Sequence, residues 1–82
     1  MPSLEQERAH LALADRHIQE AEERIRKQMA QNTELEEAGL DTKEKHKFLA
    51  LMIESLDLMH RHRTQIVAAL ADEESKLRAL GT

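Results

Sequence analysis

Eighty-two residues hold at most one domain. A single aromatic residue (Phe48), two glycines, one proline and no cysteine exclude a disulfide framework and thiolate chemistry, and four isoleucines with one valine are too few for a sheet core. A formal net charge of −4 argues against nonspecific nucleic-acid binding, which draws its affinity from cationic surface.

Ala, Leu, Glu, Arg, Lys, Gln and Met dominate, and these are strong helix formers, so the expected class is all-α. Met1-Pro-Ser-Leu-Glu5 has neither a basic flank nor an apolar run, so no signal peptide is expected. Ser3 is the expected N-cap of a first helix, with Gln6 completing a capping box. Helical sequence then continues to Ala38, and Gly39 stands where a left-handed residue would end it. Asp41 and Thr42 are alternative N-caps for a second helix that runs to about Leu80, before Gly81. The expectation is one helical-hairpin domain over 1–82, with helices near 4–38 and 42–80 and a turn at 39–41. Each helix would be roughly 50–60 Å long. A competing reading breaks the first helix at Asn32-Thr33, both poor helix formers, and caps a short third helix with Thr33.

The apolar spacing predicts coiled-coil-like packing. Leu4, Leu11, Ile18, Ile25 and Asn32 fall on a seven-residue repeat, with Ala14, Ala21 and Leu35 on the companion row and Glu7 and Gln28 interrupting it. In the second helix Leu49, Leu56, Leu70 and Leu77 form one row, and Met52, Met59, Ile66 and Leu80 the other; Arg63 and Glu73 are the exceptions. A seven-residue period implies a left-handed supercoil. Acid-first pairs four residues apart, Glu20–Arg24, Glu22–Arg26, Glu23–Lys27, Asp72–Lys76 and Glu74–Arg78, fit a solvated outer surface.

Phe48-Leu-Ala-Leu-Met-Ile-Glu-Ser-Leu-Asp-Leu-Met59 places eight large apolar residues within twelve positions. That is more than the one stripe a helix needs to dock a single neighbour. Glu54 and Asp57 interrupt the run, so it is no membrane span and the expected location is cytoplasmic. Phe48, Leu51 and Leu58 form a second stripe, with Ile53 and Val67 on a neighbouring face, and one partner helix cannot cover both. The expectation is a homodimer forming a four-helix bundle, its interface made by Phe48, Leu51, Met52, Ile53, Leu58 and Met59. The alternative is a stripe that stays partly exposed or packs on a third short helix.

Five histidines are the compositional hint of chemistry. A hairpin folded near residue 40 brings His17 towards His60, His62 and Arg63, so His17, His60 and His62 are the candidate metal ligands, with Asp15 or Glu20 near. Their spacing is not diagnostic: His60 and His62 lie two apart and point about 200° from each other on a helix. No Glu-x-x-His pair of the kind that builds di-iron sites is present. Arg63 on the apolar row is better explained as a snorkelling side chain paired with an acid than as an anion site. Asn32 on a leucine/isoleucine row matches the polar residue that sets register in coiled coils, or serves the nearby turn. With no nucleophile elbow, no glycine-rich phosphate loop and no activated serine, neither an enzyme nor a cofactor is expected.

His17-Ile18, Glu20 through Ile25, Gln28, Gly39-Leu-Asp-Thr42, Leu49 to Met59 and His62-Arg63 together resemble a group of small proteobacterial helical-hairpin proteins without an assigned activity. The resemblance spans about residues 10–70 and implies a bacterial, cytoplasmic hairpin; it implies nothing about mechanism. A likeness to the plasmid repressor-of-primer hairpin dimer, which binds RNA, rests on architecture alone.

The leading functional expectation is a structural or interaction module that self-associates and can offer a groove to a protein partner. One alternative is a metal or pH sensor built on the histidines. The other is nucleic-acid binding through Arg61, Arg63 and the edge Lys43, Lys45, Lys47, which lacks a free aromatic for base stacking.

Overall fold

The computed structural model describes residues 3–81; Met1, Pro2 and Thr82 lie outside the described residues, and with them the Pro2 part of the expected helix start. Two helices, α1 (Leu4–Glu37) and α2 (Lys43–Leu80), form an antiparallel hairpin. The Ser3 hydroxyl accepts from the Gln6 N–H at 3.2 Å while Gln6 Oε1 accepts from the Ser3 N–H at 3.0 Å. Two donors that the helix cannot satisfy internally are thereby paired, which fixes the start of α1.

Gly39 adopts φ +79°, and its N–H bonds the Glu36 carbonyl at 2.9 Å while the Leu40 N–H reaches back to Leu35 at 3.0 Å. This left-handed cap turns the chain, and a side chain there would meet the strain that L-residues carry at positive φ. Of the two expected N-caps of α2, Asp41 makes the local bond, accepting from the Lys43 N–H at 3.0 Å. Thr42 occupies the N-cap position, but its hydroxyl donates to Glu36 and so ties the two helices together. The expected alternative break at Asn32-Thr33 does not occur: α1 continues through it, and the Thr33 hydroxyl donates to the Met29 carbonyl at 3.1 Å.

The seam follows the seven-residue rows as far as Leu70; Leu77 and Leu80, expected to continue them, are exposed near the end of α2. Ala14, Ile18, Ala21 and Ile25 of α1 and Ile66 and Leu70 of α2 are buried. Ala14, Ile66 and Leu70 cluster at the open end, with Leu4 and Leu11 packed on them. Towards the turn the seam becomes polar: Asn32 and Thr42 are buried and Gln28 half-buried. Arg63 pairs with Asp15 across the seam, its Nε donating at 2.5 Å, as its place on the apolar row implied.

Surface charges pair only in part as expected. Glu23–Lys27 (3.8 Å) and Asp72–Lys76 (3.1 Å) form, but Arg26 takes Glu23 at 2.6 Å and not Glu22. Glu74 in addition reaches Arg8 on the other helix at 3.8 Å, and Arg24 has no ion pair among the described residues. Exposed pairs of this kind contribute at most about 1 kcal/mol each, so their rearrangement leaves the fold unchanged.

The hairpin measures 67 × 16 × 15 Å and has a radius of gyration of 18.9 Å, against roughly 12 Å for a compact chain of this length. Its surface of 6395 Å² exceeds the roughly 5,000 Å² of a compact monomer of its mass. Among the described residues no helix is long and apolar enough to cross a membrane.

Candidate interaction surface

Successive helical residues lie 100° apart, and α1 is a single cylinder, so α2 can bury only one of its faces against it. Leu49, Met52, Leu56 and Met59 occupy that face and are half-buried. Phe48 (55% exposed), Leu51 (61%) and Leu58 (62%) continue the apolar surface outward, and Leu58 and Ile53 share a shallow surface pocket with Glu54, Asp57 and Arg61. Of the six interface candidates, then, Met52 and Met59 are shared with the hairpin seam and the other four are left uncovered. Val67 is also exposed.

The seam is flanked by two grooves of different chemistry. One is lined by Ala21, Arg24, Ile25, Phe48, Met52, Ser55 and Met59, and extends towards the turn past Gln28 and Gln31. The other is lined by Asp15, Ile18, Gln19, Glu22, His60 and Arg63. The difference follows from the positions flanking the seven-residue rows: Phe48 and Ser55 border the first groove, and Asp15, Glu22 and His60 the second. The hairpin thus has one apolar side and one ionic side.

His60 lies in the ionic groove, whereas His17 and His62 are exposed and line neither groove. Among the described residues no three His, Asp or Glu side chains gather into a group that could hold a metal ion, so the His17, His60, His62 set is not assembled. The 200° divergence of His60 from His62 accounts for this. The cations of the nucleic-acid reading are mostly engaged: Lys47 with Glu44 at 3.2 Å, Arg61 with Asp57 at 2.9 Å, and Arg63 with Asp15. Lys43 and Lys45 are exposed.

Asn32 is 2% exposed, which places it in the seam and not in the turn. Its Oδ1 accepts from Gln28 Nε2 at 2.8 Å, while its Nδ2 is buried with no partner.

One cluster lies outside the sequence-based expectations. Glu36 Oε1 accepts from the Thr42 hydroxyl at 3.0 Å and from His46 Nε2 in a short contact, so one carboxylate joins the end of α1 to the start of α2. Antiparallel pairing puts Glu36 opposite His46, by the same sum that pairs Arg8 with Glu74, and this is the signal that points to it. The hydrogen bond from His46, then that from Thr42, holds the Glu36 carboxyl below the usual carboxylate range. A depressed carboxyl stabilises the fold above its unfolded value and loses that contribution as pH falls through its folded value. The expected result is that Glu36→Gln melts below wild type at pH 6, and that the gap closes on acidification below the ordinary Glu value of 4.5. A gap that is constant from pH 6 to strongly acidic solution, in melts followed by circular dichroism, would contradict this role.

Comparison with protein-family models, curated proteins and solved structures finds no match for this chain.

Proposed function

We propose that this chain is a non-enzymatic assembly module: a helical hairpin that self-associates into a four-helix bundle and, once assembled, offers helical surface to a protein partner. The observation that carries the reading is the uncovered apolar side of α2, where Phe48, Leu51 and Leu58 are more than half exposed next to the half-buried Met52 and Met59. Contiguous apolar surface of this kind marks interaction sites in soluble proteins.

The excess surface supports it. A surplus of roughly 1,400 Å² over a compact monomer is more than the roughly 800 Å² per partner of an ordinary stable interface. The two unlike sides support closure at two copies: an apolar side that meets its own copy is used up in a two-fold interface, which leaves no free copy of that side for further growth.

Sedimentation across a hundredfold dilution, with helicity followed in parallel, tests this. The expected result is a dimer at high concentration whose mass and helicity fall together on dilution. A fully helical monomer at every concentration would remove self-association and leave a heterologous partner as the occupant of the Phe48–Met59 surface.

A further inference from the structure

We infer that α2 packs on α2 of the second copy and that the two helices cross at Ser55. The inference rests on the self-association proposed above and adds which helix, which groove and which residue lie on the two-fold axis. Three observations lead to it.

The walls of the apolar groove differ. On the α1 wall, Arg24, Lys27 and Gln31 are exposed, polar and long. On α2, Phe48 lines the groove, and the exposed apolar Leu51 and Leu58 lie beyond it on the same helix, Leu58 beside Ile53, Glu54, Asp57 and Arg61. Placing α1 of a second copy against Phe48 and Leu51 would strip water from Arg24, which has no ion pair to compensate among the described residues. Packing α2 against α2 instead joins apolar surface to apolar surface and leaves both α1 helices at the rim, where arginine and lysine stems can lie over the seam with their charges in water.

The apolar residues are arranged about a small one. Phe48, Leu51 and Met52 precede Ser55, and Leu58 and Met59 follow it, at spacings of three and four that share one face of the helix. Ser55 lines the groove together with Met52 and Met59 and is exposed. Two helices approach most closely where the side chains between them are smallest, and larger residues on either side then interdigitate. Any two-fold contact pairs the residue on its axis with itself, so Ser55 faces Ser55 of the second copy.

The opposite groove is unsuited to the same role. Asp15, Glu22, His60 and Arg63 line it, and the Asp15–Arg63 pair is already made within the chain. Burying it against its own copy would desolvate charges with no new partner.

The absence of native cysteine allows a clean test. Ser55→Cys and, as the control in the ionic groove, Gln19→Cys would each be made in the full chain and oxidised with diamide, with linked dimer read on non-reducing gels and wild-type mass measured alongside. Two thiols held at the axis can meet disulfide geometry and experience a millimolar effective concentration, so linkage of Ser55→Cys is expected to run roughly a hundredfold faster than that of Gln19→Cys. A dimeric wild type with Ser55→Cys unlinked, or with both variants linking equally, would overturn the crossing at Ser55 and leave self-association standing. A monomeric wild type would overturn both. Ser55→Cys is nearly isosteric and lies outside the hairpin core, and its circular dichroism is expected to match wild type.

Discussion

Leu70→Ala lowers the stability of the protein by about 2–4 kcal/mol. Leu70 is 8% exposed and packs with Ala14 and Ile66, with Leu4 and Leu11 closing over the cluster. Ala14, directly in the cluster, is too small to fill the space that truncation leaves. The removed methyl groups lose their transfer energy and the vacated volume adds a cavity cost. Against a typical total of about 5–15 kcal/mol, such a loss is a large fraction for so thin a scaffold. Urea unfolding at fixed protein concentration is the measurement, because the self-association proposed above would add a concentration-dependent term. Leu58→Ala is the contrast: at 62% exposure it removes little from a single hairpin, and its cost appears only where copies associate. A loss below about 1 kcal/mol for Leu70→Ala would mean that the open end is not a packed core.

Asn32→Leu has the opposite sign. The Asn32 Nδ2 is buried and donates to nothing, and an unsatisfied buried donor costs about 1–3 kcal/mol. Leucine continues the row of Leu4, Leu11, Ile18 and Ile25, and Gln28 keeps its bond to Gln31 at 3.3 Å when the Asn32 acceptor is removed. The substitution is therefore expected to raise stability by about 1–3 kcal/mol in urea unfolding. The gain comes with a loss of definition. Polar residues at such positions penalise slipped and higher-order packings more than the intended one, so the leucine variant is expected to sediment as a broader distribution than wild type. A destabilised variant would show that Nδ2 has a partner in solution.

Both substitutions lie on rows that the apolar spacing alone reveals, and the reason is physical. A two-helix hairpin has one seam, and a seven-residue apolar period can lie along it in only one way, so Ile18, Ile25, Ile66 and Leu70 declare themselves as core. Ser3 with Gln6 and the lone internal Gly39 are equally legible, because each solves a local problem of unpaired backbone groups that few residues can solve. Arg63 is legible by contradiction, since a charge on an apolar row needs an acid, and Asp15 supplies it. Less is visible where several partners compete at similar energy. Arg26 chooses Glu23 over Glu22, and Thr42 turns from capping to bridge Glu36, through small differences among competing exposed partners that spacing does not resolve. Glu7 interrupts its row by residue type yet is 6% exposed on it; type does not reveal that this one face of the first turn of α1 is covered. For the interaction surface, the excess of apolar residues in α2 is plain from the sequence, but its division into an apolar and an ionic side needs the positions of both helices.

The uneven seam also bears on how the chain reaches its native state. Its best-packed cluster joins Ala14 to Leu70, two-thirds of the chain apart, whereas the stretch beside the turn carries Asn32, Thr42 and Gln28. A hairpin whose apolar contacts began at the turn would zip outward from short loops. Here the reward lies behind a loop roughly three doublings longer, at about 0.6 kcal/mol per doubling, so closure costs roughly 2 kcal/mol more before the first sizeable cluster forms. Long-range closure of this kind belongs to slow folding, unusual for an all-helical chain. Phe48, Leu51 and Leu58, which α1 does not cover in the finished hairpin, stay exposed throughout that search. Under the self-association proposed above, an encounter with a second copy would be able to precede completion of the hairpin, so that association would guide folding as well as follow it.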